Sequence, residues 1–265
     1  MDAFAQLPGE INELVESFNS TPIVGTLRSG LTQYTFWLVV ASLVLLVLMF
    51  AYSRRVGGLV PKGKFLNGME FVVVFVKDDI IKGILGDSWR KHFPFLATLF
   101  FFILISNIAG IIPGMKPGTG TISTTAALAA VVFVYFLACG IKAEGFVGYF
   151  KSFVPEGVKF PLSALVWLIE LVSTILRPIT LAVRLFCNMF AGHVVLGSFA
   201  IMVALFAQPA IEELTAMNVM GALPGLGFLA ILLVIYAIEI FVAFIQAYVF
   251  TMLTAVYIQG AESGE

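Results

Sequence analysis

The stretch from Pro161 to Phe206, PLSALVWLIE LVSTILRPIT LAVRLFCNMF AGHVVLGSFA IMVALF, is almost wholly apolar over about 46 residues, yet it holds Glu170, Arg177, Arg184, Asn188 and His193. A run of that length and make-up reads as a membrane segment, and an arginine at mid-membrane costs about 2.5 to 3.5 kcal/mol even on lenient insertion scales. At 100° per residue, Glu170, Ser173, Arg177, Thr180, Arg184 and Asn188 fall within about 80° of one another and form one polar stripe. His193, nine residues past Arg184, faces the opposite side. Glu170 and Arg177 are spaced to form an ion pair, and the hydroxyls of Ser173 and Thr180 suit bonds back to the helix backbone. Arg184 has no acid three or four residues away, and a guanidinium cannot discharge itself. Its charge must be answered by another helix, by water or by another subunit.

The surrounding composition agrees with a membrane setting. The chain is 60% hydrophobic and 12% charged, with 26 Phe among 265 residues, which describes an all-α polytopic membrane protein. A net charge of −1 leaves no footprint for nucleic acid. Cys139 and Cys187 lie in apolar runs and read as small core residues, with no pattern for a disulfide or a metal site. Residues 1 to 30 hold Asp2, Glu10, Glu13 and Glu16 against Arg28 and lack a signal-type apolar core, so the tail is expected to be mature.

In chain order, a first span is expected from about Leu31 to Tyr52. The segment from Val56 to Phe93 is rich in Lys and Arg, and within it Met69 to Leu85 suits an amphipathic helix at the interface. Spans two and three run from about Phe93 to Ile112 and from about Thr124 to Ile141. Asn107, deep in span two, either bonds a neighbouring helix or lines a wet cavity. The long striped segment follows, then a loop with Glu212 and Glu213, then a last segment from about Gly225 to Gln259 carrying Glu239 and Gln246. Five membrane segments and one interfacial helix result. The basic residues cluster in the loops 53 to 93 and 142 to 160, which places these inside, the N-terminus outside and the C-terminus inside. The organisation is an outer tail (1 to 30), peripheral spans with the inner interfacial segment (31 to 160) and a functional core (161 to 265).

Forty-six helical residues reach about 69 Å, against about 30 Å of hydrocarbon. Either the last two segments tilt or curve strongly as an antiparallel pair, or Pro178 breaks the first; the unbroken form is preferred, because two short spans would put the C-terminus outside. With Arg184 level with Gln246, residues at equal depth have position numbers adding to about 430, which places His193 opposite Glu239. An imidazole and a carboxylate at one level can relay protons or can simply tie the helices together.

The run Arg177-Pro-Ile-Thr-Leu-Ala-Val-Arg184-Leu-Phe-Cys-Asn188-Met-Phe-Ala-Gly-His193, with Gln246-Ala-Tyr-Val-Phe and Leu253-Thr-Ala-Val-Tyr257 downstream, resembles subunit a of F-type ATP synthases. The resemblance implies that Arg184 is a stator charge facing a rotating ring of small hairpin subunits with mid-membrane carboxylates. Gln246 is then its partner glutamine and Asn188 an accompanying asparagine. His193 and Glu239 would form the outer proton path, to which Asn107 would belong, while Glu170 would sit on the inner side; Gly110 stands where some relatives have an aspartate. The implied partners are the ring, a peripheral-stalk subunit and the rest of the complex, in a bacterial plasma membrane rather than a mitochondrial one. No phosphate-cradling GxxxxGK[ST] occurs, so ATP chemistry would lie in other subunits and no cofactor is expected here. A self-contained proton-coupled transporter or channel is the alternative, disfavoured by the lack of an internal repeat.

Overall fold

In a computed structural model, residues 9, 10, 12, 22–24, 31–55, 63–112, 114–154, 161–212 and 215–263 are described. Most of the expected outer tail, Lys159, Glu213 and the side chain of Glu212 lie outside them. The polypeptide is helical nearly throughout: α1 (Gln33–Arg55), α2 (Lys64–Phe75), α3 (Trp89–Ile111), α4 (Ile122–Glu144), α5 (Phe146–Ser152), α6 (Leu162–Glu212), α7 (Ala216–Gly221) and α8 (Leu223–Ser263). A two-residue strand, Leu31–Thr32, pairs antiparallel with Pro22–Val24 just before α1, a ribbon that nothing in the sequence reading anticipated. Among the described residues, five helical stretches are long and apolar enough to cross a membrane.

The amphipathic segment forms as its pattern requires. α2 continues through a π-helical turn (Val76–Lys82) and a last turn (Gly83–Leu85). Val76, Ile80 and Ile81 are fully buried, while Asp78, Asp79 and Lys82 stay exposed. Gly86, at φ 52°, then turns the chain into α3, a backbone conformation that side chains with a Cβ rarely adopt. The buried side of this segment rests on α3 and α8, where Phe75 and Phe100 both meet Phe244.

α6 is one helix of 51 residues, with Pro178 inside it rather than at a break. The alternative of two short spans is thereby excluded. Proline removes one backbone bond, but tertiary packing holds the helix together: Thr174, Pro178, Leu181, Ala182, Leu185, Met189, Gly192 and Leu196 form a buried seam at helical spacing. Glu212, expected in the following loop, is the last residue of this helix. α8 is a further 41 residues. At 1.5 Å per residue the two reach about 77 and 62 Å, far beyond a bilayer core of about 30 Å, so neither can stand upright in one.

Their pairing is antiparallel along most of that length. Arg177 lies over the ring of Tyr257, Gly192 meets the Glu239 carboxylate, Phe199 meets Phe228, and Phe206 packs on both Phe228 and Gly225. The position numbers of every one of these pairs add to about 430, the register expected of two antiparallel helices with equal rise. Inclination shows against α3 as well. From the layer where His92 meets Glu262 to the layer where Phe100 meets Phe244, α3 climbs about 12 Å while α8 travels about 27 Å. The bundle core between them is apolar, built on Leu96, Phe100, Ile103, Val132, Phe136, Phe250 and Ile258.

Candidate functional site

The polar stripe of α6 falls beside the packing seam, and its middle, at Thr180 and Arg184, lies on a side that no other helix covers among the described residues. Arg184 and Thr180 are exposed, as are Val183 and Cys187 next to them. Cys187 was expected in the core; it lies outside because α6 is buried along one seam only. Among the described residues Arg184 makes no hydrogen bond or ion pair. An unanswered guanidinium therefore stands among exposed apolar side chains of α6, Leu176, Val183 and Val195, and α8 exposes Ile238, Phe241 and Ile245 as well. Gln246, at the matching level of α8, is buried at 6% exposure and Asn188 is half-buried; neither bonds to Arg184.

Two polar levels bracket that arginine along α6. Seven residues toward the N-terminal end, Arg177 Nη2 donates to Glu170 Oε1 at 2.7 Å, the pairing that the sequence spacing foresaw. The same guanidinium lies 5.6 Å from the Tyr257 ring centroid. An open cavity of about 540 Å³ adjoins this level, lined by Ser173, Arg177, Thr180 and Tyr257 among apolar side chains. Tyr257 was noted in the sequence as part of a motif, but a tyrosine in an apolar helix gives no sign by itself of lining a cavity.

Nine residues the other way, His193 points away from Arg184 and into the bundle, as the half-turn geometry requires. Its Nε2 packs against Gly110 of α3, 3.2 Å from where a Cβ on that glycine would lie. One residue earlier, Gly192 leaves room for the Glu239 carboxylate: a Cβ there would come within 2.5 Å of Oε2. The structure thus brings His193 and Glu239 to one level through two glycines. Asn107 sits one turn below Gly110, fully buried, and its Oδ1 accepts a hydrogen bond of 2.8 Å from Thr119. Its Nδ2 and the neighbouring Ser106 hydroxyl have no protein partner among the described residues. Bonding a neighbouring segment, the plainer of the two readings for Asn107, is observed, and its second polar arm is left over.

Thr119 belongs to a part of the site that sequence reasoning missed. The loop from 114 to 121 does not sit above the helices but folds down among them, with Pro117, Gly118 and Thr119 buried. Pro117 packs directly on Gly110, and Gly118 on Leu38 of α1. Lys116 rides at this edge close enough for its charge to act on His193, and burial pulls the pKa of Lys116 down. A Gly/Pro/Thr-rich loop is the usual mark of a surface turn, so only the glycines that permit close approach hinted at this packing.

The chain is thus a polytopic helical membrane protein that carries an exposed arginine on an apolar helix, between two separate polar levels. The sequence matches the family described as ATP synthase A chain over residues 35–259. It is 39% identical to ATP synthase subunit a of Nocardioides over 239 residues, 89% of this chain and 83% of that one. The proteins of the same name from Myxococcus xanthus (36%; 88% of this chain, 73% of that one) and Nitrobacter hamburgensis (36%; 93% and 94%) are comparably similar. The chain belongs to the ATP synthase A chain family.

Proposed function

We propose that this chain is the proton-conducting stator subunit of a rotary F-type ATP synthase in a bacterial inner membrane, in which Arg184 separates two half-paths that open to opposite sides. The observation that carries this reading is the position of Arg184: exposed on an apolar face, about 12 Å along α6 from the Gly192–Glu239 level and about 10 Å from Arg177. The uncovered apolar surface around it, shared by α6 and α8, fits a ring of small hairpin subunits, each presenting a carboxylate at mid-membrane. Gln246 and Asn188 flank the place where that carboxylate would pass.

In this reading a proton enters through the level of Asn107, Thr119, His193 and Glu239 and neutralises a ring carboxylate, which then travels through lipid without charge. After nearly a full turn the carboxylate reaches the inner cavity by Glu170, Ser173, Arg177 and Tyr257. Arg184 there favours its ionised form, and each unit of pKa shift is worth 1.36 kcal/mol toward release. The fixed positive charge also repels a proton that would pass straight from one path to the other. Each charge crossing 100 mV yields about 2.3 kcal/mol, which the ring turns into torque. ATP chemistry and the peripheral stalk belong to other subunits of the complex. Orientation follows the basic loops, with the N-terminus outside and the C-terminus inside. In this division the translocating core (161 to 265) carries Arg184, His193, Glu239 and Gln246, while the peripheral part (31 to 160) lends Asn107 and Thr119 to the entry path.

The test is Arg184→Gln in the assembled complex, with Arg184→Lys beside it. Both are expected to lose coupled ATP-driven proton pumping in vesicles while all subunits co-purify; lysine fails because it lacks the planar, permanently charged fork. Normal coupled pumping by assembled Arg184→Gln enzyme would overturn the stator role.

A further inference from the structure

Away from the proton path, the N-terminal end of α3, the last turns of α4 and the last turn of α8 meet at one point. His92, fully buried, reaches Glu262 and the buried Cys139 there, and one donor atom from each of the three lies within 4.8 Å of the other two. We propose that His92, Cys139 and Glu262 form a binding site for a divalent transition-metal ion of the zinc type. The donor set is that of a borderline-soft ion: imidazole nitrogen, thiolate and a single carboxylate, with a fourth position for water.

Two features beyond proximity fit the assignment. Glu262 Oε1 can only accept, so His92 Nε2 donates in that 3.1 Å bond and Nδ1 accepts from the Tyr135 hydroxyl at 3.0 Å. For a metal to bind, the ring proton moves to Nδ1, where the Tyr135 oxygen can accept it, and Nε2 is left for the metal. Orientation of a ligand histidine by a hydrogen bond at its other nitrogen is the common arrangement around bound metals. Charge also closes. Lys91 Nζ donates to Glu262 Oε1 at 2.5 Å, and the Lys91 side chain is 53% exposed. A dication bound to one thiolate and one carboxylate is neutral as a unit, so Lys91 is free to swing out to solvent. The Cys139 thiol gives up one proton, and the metal–sulfur bond takes its place. Lys142 is the other cation whose charge acts on Cys139, and it lies on the same exposed inner edge of α4.

The ligands stand 47 and 123 residues apart on three helices, which is why no metal-binding spacing is visible in the chain. A metal here would fasten the end of α8, the helix that carries Gln246 and Glu239, to α3 and α4. The proposal does not depend on the role given to Arg184.

The experiment uses the assembled complex with Cys187→Ser and the cysteines of other subunits replaced, titrated with Co2+. The expected result is a thiolate-to-cobalt charge-transfer band in the near ultraviolet, saturating at one ion per chain and abolished by Zn2+. Cys139→Ser should remove the band, His92→Gln and Glu262→Gln should each weaken binding by roughly tenfold or more, and Lys91→Met should strengthen it. Should these variants fail to assemble, the unsubstituted protein still decides: Zn2+ is expected to slow alkylation of Cys139 by N-ethylmaleimide. No band in the parent complex, a band that survives Cys139→Ser, or alkylation indifferent to Zn2+ would each overturn the site.

Discussion

Gly192 carries no chemistry of its own, yet it decides whether Glu239 can stand beside His193. A methyl group there would overlap the carboxylate, with 2.5 to 2.6 Å to each of its three outer atoms. Gly192→Ala should therefore push Glu239 out of its level, at an overpacking cost of about 1 to 3 kcal/mol. The expected readout is proton uptake slowed roughly tenfold or more, with coupling intact because Arg184 is untouched. A full-speed Gly192→Ala enzyme would show that Glu239 does not act from this position. His193→Ala and Glu239→Gln should slow transport in the same coupled way, and the exchange His193→Glu with Glu239→His should recover part of the rate. Ionisable residues were legible in the sequence because a charge in an apolar run has a known cost and needs an explanation. Gly192 and Thr119 were not, because a missing Cβ or a small hydroxyl costs nothing until a neighbour's position is known.

Between elements, the contact that most distinguishes this fold from its sequence pattern is the buried loop after α3. Thr119 supplies the only hydrogen bond that the Asn107 side chain makes among the described residues. Thr119→Val keeps the shape and removes that donor, leaving a buried carbonyl oxygen unsatisfied at a cost of about 1 to 3 kcal/mol. We expect the loop to loosen and a cysteine placed at Lys116 to react faster with a membrane-impermeant thiol reagent than in the parent. Asn107→Leu combined with Thr119→Val should cost less than the sum of the single changes, since both partners of the bond are gone. Additive costs would mean the bond is incidental. Element extents were easier to read. Apolar length located all five long helices, four to within a few residues of their ends and α6 short by six at its C-terminal end, and alternation of charge with apolar residues located the amphipathic segment. The π-helical turn at Val76–Lys82 escaped, because one extra residue in a turn leaves the apolar pattern nearly unchanged.

At the scale of the whole molecule, the register adding to about 430 was available from two residues, Arg184 and Gln246, and it held from Arg177 to Phe206 because two helices of equal rise that start in register stay in register. The basic loops already put the start of α3, the end of α4 and the end of α8 on one side; what they could not supply was which side chains meet there. His92, Cys139 and Glu262 come together, so the start of α3, the end of α4 and the end of α8 lie on one side of the bundle, whereas Gly110, Pro117, His193 and Glu239 gather toward the other. That arrangement makes a topology test sharp. α5 follows α4 directly, and Trp167 of α6 donates to the Phe150 carbonyl at 3.0 Å, so α5 and the start of α6 belong to the His92 side as well. Single cysteines at Lys151 and Ser263 should accordingly react with an impermeant reagent from the same face of sealed vesicles, the inner face if the basic loops set orientation. A cysteine at Ile211, 79% exposed at the far end of α6, should react only from the opposite face. Reaction of Ile211 and Ser263 from one face would require α6 to turn back within the bilayer, and with it would go both the single inclined helix and the placing of Arg184 between two oppositely opening paths.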